Sequence, residues 1–259
     1  MKRIFFIFIG IYIISILAGC GGGSKKFGGT VDEQYRLAKR EYDKGKYLNA
    51  IDSFQRVIFN YPGATVVDTA QYYLALSYYG NQEYELAAVE FNRLRANYPH
   101  SHFADDAQYM VGVCYMKNSP SHYALDQEDL KKAITAFEDF IIDNPDSPLV
   151  EDAEKSIQEA HTKLARKDYQ NGMTYFKMYS YEAARVYFQK VIDDYTDTEY
   201  ASKALFKMAE SYFKEKMYTE SRDKFDGYLR LYPGSELADK AKRYLEEISI
   251  IQSNADASD

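Results

Sequence analysis

The sequence predicts an all-α fold, a superhelical stack of five helix pairs, and three observations point to it. First, two sets of residues recur on one irregular ladder. Phe54, Phe91, Phe137, Phe188 and Phe225 are separated by 37, 46, 51 and 37 residues, and Ala70, Ala107, Ala153, Ala204 and Ala241 repeat the same intervals. Second, apolar residues fall at helical spacing, as in Tyr47, Ala50, Ile51, Phe54, Val57 and Ile58. Third, Tyr61-Pro62, Tyr98-Pro99, Asn144-Pro145 and Tyr232-Pro233 punctuate the units. Proline lacks a backbone N–H and clashes with the preceding turn, so each pair closes a second helix. The fourth unit carries Tyr195-Thr196 instead.

The amino end reads as a processing signal. Lys2 and Arg3 precede a run from Ile4 to Leu17 that is almost wholly apolar. That run is shorter than the roughly 20 residues that span a bilayer, which suits a secretory signal. Leu17-Ala18-Gly19-Cys20 resembles the lipobox of bacterial lipoproteins, and the resemblance implies that Cys20 is acylated through its thiol and becomes the first residue. Gly21 stands where an Asp would retain such a protein in the inner membrane, so the outer membrane is expected, on its periplasmic face. Segment 21–30 reads as a Gly-rich tether of about 17–19 Å average span. The expected division is a signal at 1–19, a lipidated Cys and tether at 20–31, repeats one to three at 32–145, repeats four and five at 146–253, and a frayed tail at 254–259.

Each repeat reads as two helices. A small residue precedes each anchor Phe by four positions: Ala50, Ala87, Ala133, Ala184 and Ser221. It permits close helix approach, and the Phe fills the gap. A second small residue marks each first helix: Ala38, Ala75, Gly112, Gly172 and Ala209. This pattern resembles the tetratricopeptide repeat over residues 32–250 and implies a right-handed superhelix of about eleven helices. The two long intervals are expected as a polar loop at 117–128 and a lengthened helix near 149–172.

In tetratricopeptide stacks the fifth, ninth and twelfth positions of a repeat line the concave face. Carried onto this chain, the fifth positions are Tyr35, Tyr72, Tyr109, Tyr169 and Phe206, and the twelfth are Tyr42, Tyr79, Met116, Phe176 and Phe213. Tyr35, Tyr42, Tyr72, Tyr79 and Tyr109 are the expected substrate-binding groove. The bland alternative is that these rings pack on the next helix or are covered by the insertion.

Other chemistry is sparse. With Cys20 committed to lipid, Cys114 has no partner within the chain, and its apolar setting YMVGVCYM suits a small buried hydrophobe. His100 and His102 lie in a turn beside Asp105 and Asp106, where capping by Ser101 or the Asp pair is expected rather than a metal site. Zinc-type spacing, a phosphate loop, a nucleophile elbow and a dinucleotide fingerprint are all missing from the sequence, so neither an enzyme nor a cofactor is expected. A formal net charge of -7 argues against nucleic acid as a partner.

The lipobox, the tether, the five repeats and the strings YMVGVCYM, DLKKAITAFEDFI and KLARKDYQNGMTYFKMYSYEAA together resemble the BamD/ComL family of outer-membrane assembly lipoproteins. That resemblance implies a scaffold of the β-barrel assembly machine. Its amino-terminal repeats would engage unfolded barrel proteins. Its carboxy-terminal repeats would dock on a periplasmic domain of BamA, with other assembly lipoproteins joining. The family's docking Arg, in the loop before the last repeat, aligns with Ser202, with Lys203 adjacent. Two rivals share the anchor and the repeats: a Tol-associated factor for envelope constriction, and an escort of secretins.

Overall fold

The computed structural model describes residues 29–256. Among them lie eleven α-helices and no strand: α1 (Val31–Asp43), α2 (Tyr47–Asn60), α3 (Val67–Gly80), α4 (Tyr84–Asn97), α5 (Ala104–Asn118), α6 (Glu128–Asp143), α7 (Val150–Lys177), α8 (Tyr181–Asp194), α9 (Glu199–Lys214), α10 (Tyr218–Leu231) and α11 (Ala238–Asp256). Ten of them form five consecutive pairs, and α11 covers the last. The expected all-helical stack of tetratricopeptide-like pairs is the fold observed. Cys20 and the signal segment lie outside the described residues. No described helix is long and apolar enough to cross a membrane.

The repeat anchors are the core. Phe54, Phe91, Phe137, Phe188 and Phe225 are fully buried, as are the small residues one turn earlier. In the fifth repeat Ser221 replaces Ala, and its hydroxyl donates to the Ala209 carbonyl at 3.0 Å, so the buried polar group is satisfied. Cys114 is buried among Ala75, Phe91 and Val111, as expected, and burial pushes its thiol up to about 12. The thiol therefore stays protonated and unreactive.

Four of the five turns within pairs are tight. Gly45, Gln82, Tyr179 and Lys216 adopt left-handed φ values of 69°, 65°, 60° and 61°. Each N–H bonds the carbonyl three residues back, and the next N–H bonds the carbonyl five back, as in Lys46 to Glu41 at 2.9 Å and Met217 to Tyr212 at 3.0 Å. Orphan helix carbonyls are thereby satisfied.

Both insertions are ordered. The loop of the third repeat runs from 119 to 127, between α5 and α6. Gln127, buried, donates to the carbonyls of Pro120, His122 and Leu125 at 3.3, 3.1 and 3.4 Å. Lys167 of α7 donates to the Leu125 carbonyl at 2.9 Å and ties the loop down. Helix α7 is the second insertion. The interval from Ala153 to Gly172 is 19 residues where Ala70 to Ala75 is 5. It therefore carries almost four extra turns, about 21 Å. Its middle is held by Asp197, whose carbonyl accepts from Gln158 at 2.8 Å and whose carboxylate meets His161 Nδ1 at 3.2 Å. Helix α11 continues to Asp256, past the boundary at 253 expected for the last repeat.

Candidate functional site: an aromatic groove

The first helices of the pairs lie on the inner side of the stack. Neighbouring first helices touch one another, α1 with α3, α5 with α7 and α7 with α9, while the second helices make no comparable approach. The side chains facing this inner side repeat with the fold. The fifth-position ring packs on its own repeat's anchor Phe in every unit: Tyr35 on Phe54 at 6.0 Å, Tyr72 on Phe91 at 5.7 Å, Tyr109 on Phe137 at 5.5 Å, Tyr169 on Phe188 at 5.8 Å and Phe206 on Phe225 at 5.4 Å. The twelfth-position ring meets the first residue of the following helix: Tyr42 with Tyr47, Tyr79 with Tyr84, Phe176 with Tyr181 and Phe213 with Tyr218, at 5.8, 5.3, 5.2 and 5.7 Å. The third repeat has Met116 in this place.

The five expected groove residues are therefore neither free nor wholly core. Tyr35, Tyr42, Tyr72, Tyr79 and Tyr109 are all half-buried, one ring face on the pair beneath. Burial pushes the hydroxyls of Tyr35 and Tyr72 up to about 12 and raises those of Tyr42, Tyr79 and Tyr109. All five remain protonated, each a donor as well as an acceptor at neutral pH. Several rungs carry a cover that the repeat alignment did not reveal. Phe103 stacks on Tyr72 at 4.3 Å and 8°, and Tyr73 meets Tyr42 at 5.2 Å with Lys39 4.7 Å above the Tyr73 ring. At the far end Phe206 is buried outright, because Tyr244 of α11 packs on Phe213 and Phe225, both at 4.9 Å. Tyr73 and Tyr244 follow Ala70 and Ala241 by three residues, and that shared register was the available signal.

The groove deepens at repeat three. Tyr109, Val113, Met116 and Phe137 floor a cleft of about 260 Å³, bounded by Lys117 and by Ser156, Glu159 and Lys163 of α7. Tyr109, Val113 and Met116 are the fifth, ninth and twelfth positions of that repeat. The amino-terminal half of α7 builds the opposite wall, so the insertion is what makes this cleft. An apolar floor with charged edges can take a large side chain and hydrogen-bond the backbone that carries it.

Ser202 lies in the first turn of α9 and Lys203 opens the second, rather than in the preceding loop, which corrects the expected placement. Ser202 donates to the Glu199 carbonyl at 3.1 Å, while Lys203 pairs with the Glu199 carboxylate and lies 5.1 Å above the Tyr200 ring. They are half-exposed, two repeats on from Tyr109, and the Tyr200 ring beneath Lys203 packs on Tyr169 at 5.6 Å. The His100–Ser101–His102 turn does structural work. Ser101 Oγ accepts from Phe103 N–H at 3.3 Å and donates to Asp68 at 2.7 Å, which joins two repeats. No cluster of three metal-ligating side chains occurs among the described residues.

An all-helical stack of tetratricopeptide-like pairs with an aromatic inner groove defines a protein-interaction scaffold. The chain belongs to the family described as outer membrane lipoprotein (YfiO), whose model matches residues 29–215. A tetratricopeptide repeat model matches residues 203–235. Among solved structures, the chain is similar to a thermophilic tetratricopeptide protein of Thermus thermophilus, at 19% identity over 83% of this chain and 99% of that one, with a TM-score of 0.35. It is also similar to the tetratricopeptide domain of P58(IPK), at 17% identity over 88% of this chain and 57% of that one, TM-score 0.40. The TPR2AB domain of yeast Sti1 gives 14% identity, 85% and 98% coverage and 0.37. At these values the likeness extends to no shared partner. No curated protein matches.

Proposed function

We propose that this chain is a BamD-type scaffold, anchored through Cys20 to the periplasmic face of the outer membrane, that serves the β-barrel assembly machine. In this reading repeats one to three hold unfolded barrel proteins, and repeats four and five dock on a periplasmic domain of BamA, with other assembly lipoproteins joining. The observation that carries the proposal is the run of half-buried rings on one inner face, in a chain of an outer-membrane lipoprotein family. Barrel strands alternate apolar and polar side chains and carry aromatic girdles. An extended strand could seat alternate side chains against successive rungs while tyrosine hydroxyls meet its backbone. Lys203 and Ser202 are the proposed docking positions toward BamA; a lysine supplies charge there without the bidentate fork of an arginine.

The test is capture of the tagged lipoprotein from detergent-solubilised envelope, with the bound proteins identified by mass spectrometry. Recovery of a large barrel protein with soluble amino-terminal repeats supports the reading; Tol components or a secretin in its place would contradict it. Tyr109→Ala should weaken capture of unfolded barrel proteins about tenfold or more, as expected for a buried aromatic contact. The variant should leave BamA recovery unchanged. Lys203→Glu should do the reverse.

A further inference from the structure

A stack of helix pairs has two edges. One is made by the turns within pairs, the other by the turns between them. In repeats one to three the two differ sharply in chemistry. The between-pair turns at 60–66, 97–103 and 143–149 contain no Lys or Arg, and Asp143 and Asp146 are their only acids. The within-pair edge carries Asp43, Lys44 and Lys46 in its first turn alone. At the ends of α2 and α6, next to this lysine- and arginine-free edge, stand two of the three most exposed large hydrophobic side chains of the described residues. Phe59 is 85% exposed and Ile142 is 76%; the other, Tyr179, belongs to repeat four. Phe59 and Ile142 occupy the same repeat position, five residues after Phe54 and Phe137. Exposed Pro62, Pro99 and Pro145 line the same edge.

The chain enters the fold at this edge. Gly29 precedes α1, and its carbonyl accepts from the Tyr61 hydroxyl at 3.3 Å, in the turn that follows Phe59. Cys20 lies nine residues earlier, so the lipidated position is at most about 30 Å of extended chain away. The turn on which the tether converges, 60–66, thus carries no charged side chain, and Phe59 stands exposed beside it.

We infer that this edge of repeats one to three, led by Phe59 and Ile142, rests in the interfacial layer of the bilayer. Short tethers convert weak surface contacts into effective ones by raising local concentration, and aromatic rings suit the depth of the headgroups. Laid down in this way, the edge stands α1, α3 and α5 upright on the membrane, with the tyrosine groove running alongside it. The inference rests on the lipid-anchor reading.

The chain contains no Trp, so one introduced ring reports its own depth without background. Full-length lipidated protein carrying Phe59→Trp, Ile142→Trp or, on the opposite edge, Leu48→Trp is reconstituted into vesicles with bromine on the upper acyl chain. Flotation is measured on the same samples. The expected result is co-flotation of all three, with blue-shifted emission and at least twofold quenching at positions 59 and 142 and neither at 48. Co-flotation with equal, unquenched emission at the three positions overturns the edge contact and leaves the anchor standing. Failure to float, equal to that of a Cys20→Ser control, overturns both.

Discussion

Gly112 and Gly172 sit where a methyl group would stand 2.6 Å from the rings of Phe137 and Phe188. An interior helical Gly ordinarily costs about 1 kcal/mol relative to Ala, so Gly→Ala at an unhindered site would stabilise. Here overpacking, typically about 1–3 kcal/mol, outweighs that gain. Gly112→Ala and Gly172→Ala should each lower the stability measured by urea unfolding. The left-handed turn residues work the other way. Lys216 holds a φ of 61° that Gly adopts without steric cost. Lys216→Gly should raise stability by about 0.5–1 kcal/mol, read from the same unfolding curves. At this scale the sequence was legible where a residue type repeats with the ladder: the anchor Phe, the small residue beneath it and the groove tyrosines. It was not legible where a residue outside the chosen positions folds over a rung, as Phe103 does on Tyr72, because such a contact depends on inter-repeat rotation, which local spacing leaves open.

Helices α9 and α11 are joined through one carboxylate. Glu210 is buried, accepts from Lys207 at 2.6 Å and from the Tyr244 hydroxyl at 2.8 Å, and has Lys240 3.7 Å away. Burial acts to raise its pKa, yet the bonds from Lys207 and Tyr244 and the charges of both lysines hold it below the usual glutamate value. The folded carboxylate therefore binds a proton less readily than the unfolded one. Its stabilisation is present above about pH 4.3, the unfolded value, and is lost as pH falls through the lower folded value. Glu210→Gln should flatten that acid limb while leaving the rest of the pH–stability profile in shape. The loop of the third repeat has a comparable pin. Gln127→Ala removes the amide donor shared among the three loop carbonyls, a cost of about 0.5–1.5 kcal/mol, and amide exchange should quicken across 120–126. Insertion lengths predicted that this loop and the long α7 exist. Their packing against each other through Lys167 and Leu125 has no sequence signature, since a lysine reaching a carbonyl looks like any surface lysine.

Among the described residues, α7 joins repeats one to three to repeats four and five, and its extra turns add about 21 Å of helix between them. The inner face differs on its two sides. The amino-terminal part carries tyrosine rungs and the cleft at Tyr109. The carboxy-terminal part is closed by α11, with Phe206 buried and Lys207 and Lys240 at 5.0 and 5.1 Å over Phe176 and Phe206. The 51-residue interval of the repeat ladder marks the joint, whereas the assignment of a substrate end and a docking end rests on the family resemblance. The central claim is that the amino-terminal groove receives unfolded barrel protein. A photo-crosslinking residue at Val113, on the floor of the cleft, tests it most directly when paired with one at Val89 on the outer helix α4 during active assembly in the envelope. The account predicts adducts with newly exported barrel proteins at 113 and none at 89. Equal labelling at both positions, or adducts at 113 with soluble periplasmic proteins alone, would contradict it.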